Sequence, residues 1–314
     1  MVKEFSLINK YFNQKSSTAP LGIGDDGALL EKNSQNYYVL SQDTLNVDSH
    51  FFRDTNIKYL GWKTLAVNVS DILAMGGNPK FALLSISTEE ANDSWLKKFS
   101  SGLFDCANQY GVELIGGDTS RGSLSVTITI IGEVKKKYVL RRDGANAEED
   151  IWISGELGLA SLGFAHQIKT LSLPGHISKK ALLALHKPTP IIIDMSKINH
   201  LFTSAIDISD GLVPDIQHIL NKSNIGADIF CEHLPVPLWI KENDGYDFAL
   251  YGGEDYQLAL TSRKSNRKKI EKIAAQNNLQ LSVIGKTNTS KALKLYDVNG
   301  DLIKKLKKGF THFG

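Results

Sequence analysis

Cysteine is scarce in this chain, with only Cys106 and Cys231 among 314 residues. They lack the paired spacing of a CxxC metal site, and so few thiols do not make a disulfide framework. Both sit among apolar neighbours and read as buried structural thiols. No apolar run reaches the roughly 20 residues of a membrane-spanning helix. The opening stretch MVKEFSLINKYFNQ alternates apolar and polar residues, without the unbroken apolar core of a signal peptide. A soluble, cytoplasmic protein is expected. An excess of one charge is missing too. A net charge of +2 argues against a dedicated nucleic-acid binder, and the lysine-rich runs at 135–137 and 304–308 read as solvated loops or edges. There is no GxxxxGK[ST], which excludes a P-loop NTPase. GIGDDG at 22–27 lacks the strand–loop–helix frame of a dinucleotide fingerprint.

What is present is an ordinary globular composition, 42% hydrophobic and 22% charged, long enough for two domains with real cores. YYVLSQDTLNV (37–47) reads as a strand. Residues 57–75 keep helical spacing through Ile57, Leu60, Leu65, Val69, Ile72 and Leu73, and Gly76-Gly77 stops them. KFALLSIST is a strand, 92–109 an amphipathic helix with an Asn or Asp cap, and VELIGG a strand ending in a glycine turn. SLSVTITIIGEV (123–134) alternates like a half-buried antiparallel strand. This order, β-α-β-α-β-β, predicts an α+β sheet domain over 1–140. The charged, turn-rich stretch 135–150 marks the boundary. A C-terminal α/β domain over 141–314 follows, with strands at 150–158, 226–232, 256–261, 281–285 and 292–297. Its helices are expected near 158–169, 178–186, 213–221 and 265–277. Two glycine-glycine-acid turns, at 116–118 and 252–254, suggest distant similarity between the halves.

The acids are unusual in their placement. Asp25 and Asp26 lie in GIGDDGALL, Asp43 ends a strand, Asp71 sits inside an apolar helix and Asp118 follows two glycines. Asp207 and Asp210 stand in AIDISDGL. Most have no lysine or arginine nearby. Each alone also admits a structural role: Asp71 on an exposed helix face, Asp25 capping a DDG turn, Asp43 at a strand end, Asp207 and Asp210 at a helix N-terminus. If they converge, like charges must be neutralised. Mg²⁺ does this with carboxylate oxygens, water and substrate phosphate. The glycine pairs 22 and 24, 116 and 117, and 252 and 253 would let backbone approach such a ligand. Arg142 is the natural cationic helper.

In order along nearly the whole chain, GIGDDGALL, SQDTLNVDSHF, GWKTLAVNVSDILAMGGNPKFALLSI, GGDTSRG, AIDISDGL and YGGEDYQLAL resemble the bacterial thiamine-monophosphate kinases. The wider group includes aminoimidazole ribonucleotide synthetase and selenophosphate synthetase. The resemblance implies the two-domain fold of that superfamily. It also implies a homodimer joined through the N-terminal domains, several Mg²⁺ ions, and ATP-dependent phosphorylation of thiamine monophosphate to thiamine diphosphate by direct in-line transfer. Carried over residue by residue, Asp26, Asp43, Thr44, Asp71, Asp118, Asp207 and Asp210 match metal positions. Asp207 and Asp210 would hold cations at the transferred phosphoryl group. Gly117, Asp118, Arg142 and Ser209 match positions around ATP, while His50, Glu254 and Phe310 match positions around the thiamine substrate. Gln42, Ser100 and Phe310 depart from the family pattern of Ser or Thr, an aromatic, and Trp. Two other readings stay open: a sister ATP-using enzyme of the superfamily, or a non-catalytic nucleotide-binding protein on this fold.

Overall fold

A computed structural model describes residues 8, 10–12, 16–90 and 92–307. The first half contains β1 (Ala28–Glu31), β2 (Asn36–Asn46), α1 (Ile57–Ala74), β3 (Asn78–Thr88), α2 (Asp93–Tyr110), β4 (Glu113–Arg121) and β5 (Ser125–Lys135). The second half contains β6 (Glu149–Ser154), α3 (Leu159–Gln167), α4 (Gly175–His186), β7 (Ser204–Ile208), α5 (Leu212–Ser223) and β8 (Gly226–Phe230). It continues with α6 (Leu238–Glu242), α7 (Asp247–Leu250), β9 (Gln257–Arg263), α8 (Arg267–Gln276), β10 (Leu281–Asn288) and β11 (Leu293–Tyr296). Five strands form one sheet in the order β1-β2-β5-β3-β4, and six form another in the order β11-β8-β10-β6-β9-β7. Each sheet is antiparallel apart from one parallel pair, β3 with β4 and β11 with β8. The architecture is α+β.

Local chemistry explains the helix ends. Asn56 caps α1 by accepting from the backbone N–H groups of Lys58 and Tyr59, and Asn92 caps α2 through Trp95. Gly111, at φ 67°, closes α2 in the left-handed conformation that glycine adopts without strain. α1 packs on β2 and β5 of the first sheet and also touches β7 and β9 of the second. Lying between the sheets, it is buried on nearly every side, as an apolar helix with no single wet face must be.

Two strands, β1 and β7, do not stand out in the sequence, because a four- or five-residue strand carries too few side chains to show its period. The glycine turns are corrected. β4 runs straight through Gly116 and Gly117 instead of ending there. A Cβ at Gly117 would lie 1.7 Å from the Leu84 carbonyl oxygen, so that glycine serves close strand approach and no turn. The two glycine-glycine-acid stretches are therefore unlike: one is strand, the other loop.

Candidate active site

Strand β2 turns alternate side chains to opposite faces. Val39 and Leu45 are buried beneath α1 and Asp43 shares their face, while Gln42 and Thr44 lie on the other face, hydrogen-bonded to Thr129 and Thr127. Asp71 enters from the last turns of α1, Asp207 from β7, and Asp25 and Asp26 from the loop before β1. Carboxylate oxygens of Asp26, Asp71 and Asp207 lie within 4.8 Å of one another. Hydroxyl groups aim two of these acids: Ser41 Oγ donates to Asp71 Oδ2 at 2.6 Å, and Ser70 Oγ donates to Asp207 Oδ2 at 2.6 Å. Arg142 answers Asp26, with one guanidinium nitrogen 2.5 Å from Oδ1, and its backbone N–H reaches Asp25.

One arginine does not neutralise this group. Burial, followed by the charges of Asp43, Asp207 and Asp26, holds the Asp71 carboxyl well above the ordinary carboxylate range. Burial and then Asp26 push Asp207 up to about 8; burial and then Asp26 push Asp25 to about 7. Such acids hold protons unless a cation replaces them. Three converging hard oxygen donors match a divalent ion such as Mg²⁺.

The two loops flanking Asp207 and Glu254 are zipped together. Glu254 N–H donates to the Ser209 carbonyl and Tyr256 N–H to the Ile208 carbonyl, both at 2.8 Å. A Cβ at Gly253 would lie 2.0 Å from that same Ser209 oxygen. Asp215, buried at the start of α5, accepts through Oδ2 from the N–H groups of Ser209, Asp210 and Gly211 at 3.0, 3.0 and 3.1 Å. Asp255 accepts from the Gly158 N–H at 2.7 Å, anchoring the second loop to the N-terminus of α3. Glu254 and Tyr256, on either side of Asp255, take left-handed backbone conformations at φ 73° and 49°. Neither is a residue that adopts them freely, and these anchors hold them there.

A cavity of about 560 Å³ opens over this assembly, lined by Asp43, Thr44, Asp71, Asp207, Ser209 and Asp210 and, further along, by His50 and Glu254. Asp26, Asp71 and Asp207 are brought together, with Asp43 and Asp210 in the same cavity wall. Arg142 stands against the acids. Gly117 and Asp118 are placed elsewhere. They lie exposed on edge strand β4, separated from β2 by β5 and β3, about 14 Å at strand spacing. Phe310 lies outside the described residues. Ser100 is on α2, its hydroxyl donating to the Lys97 carbonyl. Lys63, Ser41, Ser70, Asp215 and Asp255 are site-building residues that the motifs alone did not single out. Lys63 sits about two helical turns before Asp71, on the same side of α1.

Residues 24–134 match the family model described as AIR synthase related protein, N-terminal domain, and residues 147–298 match its C-terminal counterpart. A thiamine-monophosphate kinase of Buchnera aphidicola subsp. Acyrthosiphon pisum is 39% identical, over 99% of this chain and 98% of the relative. That of Escherichia coli K12 is 35% identical, over 99% and 98%. Among solved structures, AaThiL complexed with AMPPCP and TMP superposes with a TM-score of 0.85 at 29% identity, covering 99% of this chain and 97% of that one.

Proposed function

Since the chain belongs to the thiamine-monophosphate kinase family, within the AIR synthase related proteins, we propose that its cavity transfers the γ-phosphoryl group of ATP directly to the phosphate of thiamine monophosphate. The observation that carries this reading is the convergence of Asp26, Asp71 and Asp207, from three separate elements, at one cavity that Asp71 and Asp207 line and both halves share. A relative bound to an ATP analogue together with TMP supports the same pair of substrates.

A terminal phosphate oxygen of the acceptor attacks the γ-phosphorus, the bond to the β-bridging oxygen breaks, and ADP leaves. The attacking oxygen is already anionic near neutral pH, so the residues need not remove a proton from it. Their task is positioning and charge balance. Magnesium ions held by Asp26, Asp71 and Asp207, with Asp43 and Asp210 beside them, would offset the negative charge of the two phosphate groups. Ser209 and the zipped 252–256 loop form the wall along which the acceptor would lie. Arg142, fixed by Asp26, is placed to stay with the acids or to turn toward donor phosphate.

A homodimer belongs to this reading. The face of the first sheet turned away from α1 carries a row running Thr44, Thr127, Ser85, Asp118 across four strands, and Leu83 and Ile115 are exposed on β3 and β4. A second copy packed on this face about a two-fold axis would carry Asp118 and Gly117 to the neighbouring cavity. Cytoplasmic location fits two buried, unbridged thiols; among the described residues no helix is long and apolar enough to cross a membrane.

The test is ADP release with thiamine monophosphate, with thiamine, and with no acceptor, each with and without Mg²⁺. ADP should form with the monophosphate and Mg²⁺ alone. Equal release without acceptor, or release driven by unphosphorylated thiamine, would refute the reading.

A further inference from the structure

Lys63, Val67 and Asp71 follow one another at single-turn spacing on one face of α1, and all three line the cavity. Asp71 belongs to the acid end. Lys63 stands about 12 Å away along the helix axis, at 1.5 Å per residue. Its Nζ meets the His50 carbonyl, and the same cavity wall carries His186 and the rings of Phe52 and Phe164, whose centroids lie 6.0 Å apart. One helix face therefore spans the cavity from a cluster of anions to a buried ammonium group paired with Glu254.

The Lys63 side chain is only 2% exposed. An ammonium group so far from water requires its charge to be answered and its protons to be accepted. Nζ is paired with Glu254 Oε2 and also donates to the His50 carbonyl oxygen at 3.1 Å. The other Glu254 oxygen accepts from the Tyr256 hydroxyl at 3.3 Å. Lys63 comes from the helix between the sheets, His50 from the loop after β2, and Glu254 from the second half, at a left-handed backbone position. A single nitrogen joins all three.

We propose that Lys63 is a positioning residue for the acceptor, fixing the Glu254 carboxylate and the His50–Phe52 loop as the receptor for its ring system. The inference rests on the reading above that the acceptor is thiamine monophosphate. The phosphates of donor and acceptor belong at the acid end, so the acceptor's rings extend toward Lys63. A cationic ring there meets a carboxylate held in one orientation and two aromatic faces. Without Lys63, Glu254 loses the partner that holds its rotamer, and the His50 loop loses its tie to α1. The nucleotide, at the other end, loses nothing.

Three variants, Lys63→Met, Lys63→Arg and Glu254→Gln, and the Met/Gln double variant test this. Steady-state kinetics with both substrates varied would be combined with calorimetric binding of thiamine monophosphate without nucleotide. Lys63→Met should raise KM for thiamine monophosphate roughly tenfold or more while KM for ATP moves less than about threefold. Acceptor binding should weaken in parallel, and Lys63→Arg should recover part of the loss. The double variant should be no worse than about twofold beyond the weaker single variant, because both changes break one interaction. Equal rises in both KM values, a fall in thermal stability with KM unchanged, or losses that multiply in the double variant would overturn the proposal. Should Lys63→Met fail to fold, Lys63→Arg and Glu254→Gln decide alone: neither raising KM for the acceptor selectively would overturn it. A wild-type protein that turns over no thiamine monophosphate counts against the functional reading. A wild type that turns it over, with variants indifferent to it, counts against Lys63.

Discussion

At the scale of single residues, the acid cluster is an unfavourable arrangement kept in place by its surroundings. Asp207 rises from the usual 3.8 to about 8 and Asp25 to about 7, in each case through burial first and the neighbouring Asp26 second. The folded protein thus holds protons that the unfolded chain has released. Between about pH 4 and pH 8 the folded state binds more protons than the unfolded one, and its stability falls as pH rises. Metal-free protein should therefore melt at lower temperature at pH 8 than at pH 6. Mg²⁺ should raise the melting temperature more at pH 8, where it no longer competes with protons. Differential scanning fluorimetry in a pH series, with chelator or with Mg²⁺, measures both. Asp207→Asn removes one charge yet keeps an oxygen for Ser70. It should raise the metal-free melting temperature at pH 8 while lowering kcat by about a hundredfold or more. A variant that melted earlier and kept its activity would contradict the assigned role of the cluster.

At the scale of elements, two loops make the site by holding each other. The segment after β7 presents Ser209 and Asp210; the segment before β9 presents Glu254. Two backbone hydrogen bonds join them, and Asp215 and Asp255 fix each from behind. Gly253 is needed because a Cβ would meet the Ser209 carbonyl oxygen at 2.0 Å, whereas one at Gly175 meets nothing within 4 Å. Gly253→Ala should lower kcat/KM by about tenfold or more by spreading the loops, and Gly175→Ala should leave it within about twofold. Kinetics of the two purified variants decides, and equal behaviour would remove the argument. The same elements show what the sequence revealed. Asp26, Asp71 and Asp207 stood out because carboxylates in apolar frames are rare. α1 announced itself by helical period and α2 by its amphipathic pattern and an Asn or Asp cap. β7 did not, since AIDI is too short to separate a buried strand from a helix start. Lys63 passed for an ordinary helical lysine because its partner, Glu254, is 191 residues away and only the fold brings it near.

At the scale of the whole molecule, the helices of the first half and the second half are tied by a strap. Trp62 Nε1 donates to the Pro188 carbonyl at 2.7 Å, the Tyr110 hydroxyl to the Pro190 carbonyl at 2.8 Å, and Asn199 Nδ2 to the Gly76 carbonyl at 2.9 Å. This strap keeps β7 against α1, where Asp207 meets Asp71. It does nothing for Asp118, which strand order sets three strands from Asp43, exposed on the edge strand among the described residues. GGDTSRG reads like the other acid motifs, but its distance from them depends on which strands lie between, and a motif does not record that. If Asp118 serves the cavity of a second copy, two inactive proteins should repair each other. Asp118→Asn and Asp207→Asn subunits, mixed and allowed to exchange, would form about half heterodimers, each with one cavity holding both native acids and one holding neither. Activity should then recover to about a quarter of wild type. Recovery should depend on exchange, so covalently locked dimers of each variant, mixed in the same ratio, should stay inactive. Absence of recovery despite demonstrated exchange would return Asp118 to its own chain, where this fold leaves it too far from the acids to share their cation.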